Sequence, residues 1–115
     1  MNCRRGDVVL VLLPDSNLRT AKRRPALVVQ ADALETGLPQ RIVAMITSNM
    51  TRNGHPSRVT IAQASAQARS AGLRTDSVIM MDNLATIRDT EIDRVIGHFE
   101  SMDAVDLALR KTLQL

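Results

Sequence analysis

At 115 residues the chain has the length of one domain, which excludes readings that need two enzymatic domains or a large dinucleotide-binding fold. Hydrophobic residues make up 44% and charged residues 23%, the balance of a folded protein rather than a disordered one. The net charge of +3 conceals an asymmetry: residues 1–81 sum to +6 and residues 82–115 to −3. Thirteen of the fifteen basic residues are arginine, whose planar fork of donors suits phosphate oxygens, so the first two thirds are expected to face a polyanion.

The first apolar run, Val8 to Leu13, ends at Pro14 and is far shorter than the ~20 residues of a bilayer span. Asp7 interrupts its approach and no small-residue cleavage site follows, so neither secretion nor membrane insertion is expected. A second β-branched run, Ala26 to Gln30, follows the polar stretch Asp15 to Arg24, which reads as a loop between neighbouring strands. Arg41 to Thr47 and Ser57 to Ala62 are two further strands, divided by Ser48 to Pro56 with an Asn53-Gly54 turn signal. Gln63 to Ala71 is alanine-rich and reads as a connecting loop or one short helix, and Ser77 to Met81 is a fifth strand. Beyond it the period changes. Asp89 or Thr90 can cap a helical turn through Val95 that stops at Gly97, and Ser101 can cap a longer helix with Met102, Val105, Leu109 and Leu113 on one stripe. The residues 1–115 therefore predict a single, mainly β domain: a small curled sheet or barrel with a C-terminal helix packed on it.

Cys3 is the only cysteine, so no internal disulfide can form and, with only His55 and His98 beside it, no structural zinc site is expected; a cytoplasmic address follows. The two histidines are the default acid/base candidates, yet His55 lies in a Gly54-His55-Pro56 turn and His98 beside Phe99, and neither sits in a catalytic motif. No Ser/His/Asp order, no phosphate-cradling glycine loop and no metal-ligand spacing is present, so no metal or cofactor is expected. Phe99 is the only aromatic residue, which removes base stacking on Tyr or Trp platforms. What remains is positional. The run Arg19 to Arg24 enters a strand through Pro25, which aims Arg24, and Thr47-Ser48-Asn49 closes another strand with three hydrogen-bonding side chains. A guanidinium and a hydroxyl at adjacent strand ends can hold the non-bridging oxygens of a phosphodiester.

Five blocks in order then resemble the MazF/PemK family of type II toxin endoribonucleases: Arg5-Gly6-Asp7-Val8-Val9, Arg23-Arg24-Pro25-Ala26-Leu27-Val28-Val29, Ala44-Met45-Ile46-Thr47-Ser48, Gly72-Leu73-Arg74-Thr75-Asp76-Ser77-Val78-Ile79 and Asp82-Asn83-Leu84-Ala85-Thr86-Ile87. The resemblance implies an SH3-like barrel of the type shared with CcdB toxins, a homodimer, an acidic antitoxin as protein partner, and contact with DNA only through that antitoxin. It also implies metal-independent cleavage of single-stranded RNA by the substrate's own 2′-OH, leaving a 2′,3′-cyclic phosphate. By matching position Arg24 and Thr47 would be catalytic, with Lys22, Arg23, Ser48, Asn49, Asp82 and Asn83 contacting RNA. A guanidinium is a poor general base, so charge stabilisation is the role expected of Arg24. The chain departs from the family in having Leu18 and Arg19 where many members carry Gly-Ser-Glu, and Met80 where relatives of the Kid type carry an arginine before the aspartate. The competing reading is a non-catalytic binder on the same fold, a CcdB-like poison or an inactive relative; the lack of any Trp weighs against a CcdB-like tail.

Overall fold

The computed structural model describes residues 2–14, 17 and 19–115. Asp15, Ser16 and Leu18 of the expected first loop lie outside the described residues. The strands are β1 (Asp7–Pro14), β2 (Ala21–Val28), β3 (Gln40–Thr47), β4 (Arg58–Ile61), β5 (Ser77–Arg88) and β6 (Ile92–His98), with helices α1 (Ala66–Ala71) and α2 (Asp103–Leu113). They form one antiparallel six-stranded sheet in the order β4-β5-β3-β2-β1-β6.

The apolar runs are unbroken because both faces of the sheet are buried. Val8, Leu27, Ala44, Ile46 and Ile79 pack with α1, α2 and Phe99, whereas Val9, Val11, Ala26, Val28, Val43 and Ile87 form a second cluster on the opposite face. No helix contributes to that second cluster, which draws instead on five strands of the sheet itself. A short connection explains how. β5 and β6 are four positions apart in the sheet, about 19 Å if it were flat, yet only the 3-10 turn Asp89–Glu91 joins them, a reach of about 8 Å at ~2 Å per residue. The sheet must therefore curl until β6 returns toward the end of β5. It does not close: β4 and β6 remain unpaired with each other, so the expected barrel is an open, curled sheet carrying a C-terminal helix.

Three local expectations change. β2 begins at Ala21, five residues before the apolar run, so Lys22, Arg23 and Arg24 are strand residues paired with Leu13, Leu12 and Val11 rather than loop residues. The expected helical turn to Val95 is only the 3-10 turn, after which β6 pairs with β1 from Asp7↔His98 to Val11↔Ile92. Strand pairing with a buried neighbour outweighs a weak local preference for helix. In α2 the N-cap position is Met102, and Ser101 Oγ accepts from the Asp103 N–H at 3.4 Å; Val105 and Ala108 are buried while Leu113 is 51% exposed, so the stripe leaves the sheet before its last member.

The short helix in the alanine-rich segment is bounded at both ends. Ser65 Oγ accepts from the Ala68 N–H at 3.1 Å, and Gly72, at φ +72°, ends the helix in the left-handed conformation that glycine adopts without cost. Among the described residues no helix is long and apolar enough to cross a membrane.

Candidate active-site groove

The groove originates where the β2–β3 ladder stops. That ladder consists of Val28↔Val43, Leu27↔Ala44 and Ala26↔Met45, and next comes Pro25, which has no N–H to offer a partner. Carrying the same register two residues further sets Arg24 opposite Thr47, and one more sets Arg23 opposite Ser48. These positions are unpaired. Between the diverging strands lies a cavity of about 900 Å³ whose lining includes Arg23, Arg24, Thr47 and Ser48.

Thr47 is oriented from behind. Its Oγ1 accepts the Asn49 N–H at 3.1 Å, which leaves the hydroxyl hydrogen to be donated elsewhere. Asn49 itself turns away: its Oδ1 accepts from the backbone N–H of Thr51 at 3.0 Å and from the Thr51 hydroxyl at 2.6 Å, an Asx turn that shapes the loop.

The electrostatics of the cavity are one-sided. Three more arginines line it, Arg69 on α1, Arg74 on the α1–β5 turn and Arg94 on β6, and none of the lining residues described is a carboxylate or an imidazole. Arg23 is ion-paired with Asp93 at 3.0 Å and Arg69 donates to the Ala64 carbonyl at 3.1 Å. Arg24, Arg74 and Arg94 make no hydrogen bond or ion pair among the described residues, so three guanidinium groups face the groove uncompensated.

The structure thus brings together four of the eight residues singled out in sequence: Arg23, Arg24, Thr47 and Ser48. Lys22 is exposed on β2 but does not line the cavity, and Asn49 serves its turn. Asp82 and Asn83 are also absent from the lining. The β3–β5 register jumps from Met45↔Met80 to Ala44↔Leu84, so residues 81–83 bulge from the ladder, and Asp82 pairs with Arg58 at 3.3 Å. Both histidines are engaged elsewhere: His98 Nδ1 lies 2.7 Å from Asp7 Oδ1, and His55 Nδ1 2.7 Å from Ser57 Oγ. Sequence reasoning missed Arg69, Arg74 and Arg94. For Arg94 the obstacle was the strand read as a helical turn; Arg74 lies inside the Gly72–Ile79 block but no role attached to it there, and no motif distinguishes Arg69 from a surface arginine.

A second cavity of about 540 Å³ lies beneath the β2–β3 connection, lined in part by Cys3, Asp32, Glu35 and Arg41. Burial pushes the Cys3 thiol up, against the opposing pull of the Arg41 charge, so it is a poor nucleophile. No three His, Cys, Asp or Glu side chains among the described residues stand together as a metal-binding group.

Fold and groove together define a small curled-sheet protein with a cationic cleft at one end of its central strands. The chain belongs to the PemK-like, MazF-like toxins of type II toxin-antitoxin systems, whose family model matches residues 4–113. It is 35% identical over 118 residues to endoribonuclease EndoA of Bacillus subtilis, covering 100% of this chain and 97% of that one. It is 33% identical over 105 residues to endoribonuclease MazF6 of Mycobacterium tuberculosis, covering 89% and 88%. Among solved structures, a mycobacterial endoribonuclease in complex with its cognate antitoxin shares the fold at a TM-score of 0.74 and 20% identity, covering 99% of this chain and 97% of that one. A MazE-MazF structure from Deinococcus radiodurans does so at 0.72 and 18%, covering 98% and 97%.

Proposed function

We propose that this toxin is an endoribonuclease that cleaves single-stranded RNA in the cytoplasm, with Arg24 and Thr47 at the scissile phosphate. The observation that carries the reading is that Arg24 and Thr47, 23 residues apart in sequence, line one cleft with four further arginines just past the point where the β2–β3 ladder stops. Negative charge on the non-bridging oxygens grows as phosphorus becomes five-coordinate, and an uncompensated guanidinium with an oriented hydroxyl meets it in place. Arg23, already paired with Asp93, and Ser48, exposed beside Thr47, extend the contact to the neighbouring backbone.

The step is a transesterification. The 2′-oxygen bonds to phosphorus as the bond to the 5′-oxygen breaks, and the proton lost from the 2′-oxygen is balanced by one taken up at the 5′-oxygen. Its products are a 2′,3′-cyclic phosphate and a 5′-OH. Cleavage is expected to proceed in EDTA and to stop when the scissile nucleotide carries 2′-H or 2′-O-methyl, read by sequencing and end-labelling the fragments. A 3′-OH product, or cleavage of the 2′-deoxy substrate, would overturn the mechanism.

The same arginines suit the carboxylates of an acidic antitoxin, and endoribonuclease and MazF relatives of this fold have been solved with antitoxins bound. RNA and antitoxin would then compete for one cleft, and any contact with DNA would pass through the antitoxin. Exposed Leu107, Leu113 and Leu115 offer apolar surface for a second copy. Light scattering should give twice the 12.6 kDa chain mass at micromolar concentration, and a value near 12.6 kDa would rule out the homodimer.

A further inference from the structure

Two irregularities in β6 aim residues that a regular strand would separate. Between Val11↔Ile92 and Leu10↔Arg94 the strand carries Asp93 as an extra residue, and between Val9↔Val95 and Val8↔Gly97 it carries Ile96. Successive side chains of an unbroken strand point to opposite faces, yet Arg94, Val95 and Ile96 all line the same groove. A bulge stands on each side of the Arg94–Val95 pair, and each extra residue twists the strand and redirects its neighbours. The first bulge also sorts the charges. Asp93 is held by Arg23 at 3.0 Å, which leaves Arg94 beside it without a partner among the described residues. Arg74, just beyond the left-handed Gly72, is likewise unpartnered and faces the same space.

We propose that Arg94 and Arg74 bind the phosphates flanking the scissile one, so that the β6 wall sets the register of the RNA strand over Arg24 and Thr47. The inference rests on the reading of this groove as an RNA-cleavage site. Leu10 pairs with both Pro25 and Arg94, which places the Arg94 backbone two strand spacings, about 10 Å, from that of Pro25. Long guanidinium arms reaching over Leu10 of β1 from both sides can hold consecutive phosphates of one strand. Val95, 40% exposed although apolar, lies next to Arg94 and offers a dry surface to the ribose or base between them.

The test uses the full-length protein and an RNA made uncleavable by a single 2′-deoxy residue at the scissile nucleotide, so that binding is read apart from chemistry. Arg94→Ala and Arg74→Ala should each weaken binding roughly 10- to 100-fold, as loss of a charge-assisted contact does. Each should also lower the slope of log affinity against log salt by about 0.7, the share of one phosphate on a single strand. Arg110→Ala, on the exposed face of α2, should change neither. Replacing phosphates one at a time by neutral methylphosphonate should reveal one flanking position whose loss weakens the wild type and does not weaken Arg94→Ala further. With cleavable RNA, Arg94→Ala should raise KM and spread the cut over neighbouring positions. If the arginine variants bind like Arg110→Ala, or if every methylphosphonate penalty is unchanged in Arg94→Ala, the proposal is wrong. A wild type that binds and cleaves normally in that case leaves the RNA reading standing. A wild type that neither binds nor cleaves RNA overturns both.

Discussion

Arg24→Ala and Thr47→Ala should each lower RNA cleavage by roughly 10²–10³-fold, the cost of removing one preorganised donor aimed at developing charge. Neither should unfold the protein. Arg24 is exposed and makes no hydrogen bond or ion pair among the described residues, and Thr47 contributes one hydroxyl contact to the Asn49 N–H at 3.1 Å. Substitutions of that kind change stability by about 0.5 kcal/mol, a Tm shift of a few degrees at most for a chain of this size. Arg24→Lys is the informative companion, because it keeps the charge and removes the planar fork; a partial recovery would separate the two contributions. Initial rates on a defined RNA, with Tm measured on the same samples, decide the matter. Wild-type rates from both alanine variants would remove these residues from the site.

Gly97→Ala should be strongly destabilising. A Cβ at Gly97 would lie 2.2 Å from the Ala71 carbonyl carbon and 2.5 Å from the Ser70 carbonyl oxygen, all backbone atoms of α1 that no side-chain rotation can move aside. Gly72 faces the strand reciprocally, its Cβ position 2.3 Å from the Ile96 carbonyl oxygen. The two glycines let the end of α1 rest directly on β6, and this contact holds Arg69 and Arg94 along one groove. Forcing a methyl group between them should cost about 3 kcal/mol, lowering Tm by about 10–15 °C. Gly54→Ala is the control: unlike Gly97 it has a positive φ, +82°, but nothing lies within 4 Å of the added carbon, so only the backbone preference of about 1 kcal/mol is at stake. Thermal melts of the two variants should differ widely. Equal melting temperatures would mean that the helix does not rest on the strand as described.

The opening Arg5-Gly6-Asp7 block has a structural explanation that its place in the sequence does not reveal. Arg5 Nε donates to the Val29 carbonyl at 3.0 Å and its guanidinium pairs with Asp106 of α2, tying the chain's start to the end of β2 and to the last helix. Gly6 sits at φ +95° with His98 against its open side, and buried Asp7 accepts from His98 and from the Arg4 N–H at 3.0 Å. These residues staple β1 to β6 and α2. They lie outside the groove.

Much of the architecture was legible because burial on both faces leaves unbroken apolar runs, so β1, β3 and the apolar half of β2 could be read directly from Val8–Leu13, Arg41–Thr47 and Ala26–Gln30, and edge strand β4 from the alternation in Ser57–Ala62. Charge patterning led to the expectation of an anion-facing surface, and the family resemblance led to Arg24 and Thr47. What only the tertiary structure decided is which residues meet. The divergence of β2 from β3 beyond Ala26 turns a register relation into a cleft, and the curl enforced by the three-residue Asp89–Glu91 link folds one face of the sheet onto itself while the helices cover the other. Charge along the chain was a poor guide to the groove itself: Arg94 comes from the net-negative third and lines it, while Lys22 comes from the basic run and does not. A sequence records local preference and periodicity, whereas pairing partner and bulge position are set by long-range contacts, and in β6 those contacts, not the helical pattern of Asp89 to Val95, determined where an arginine points.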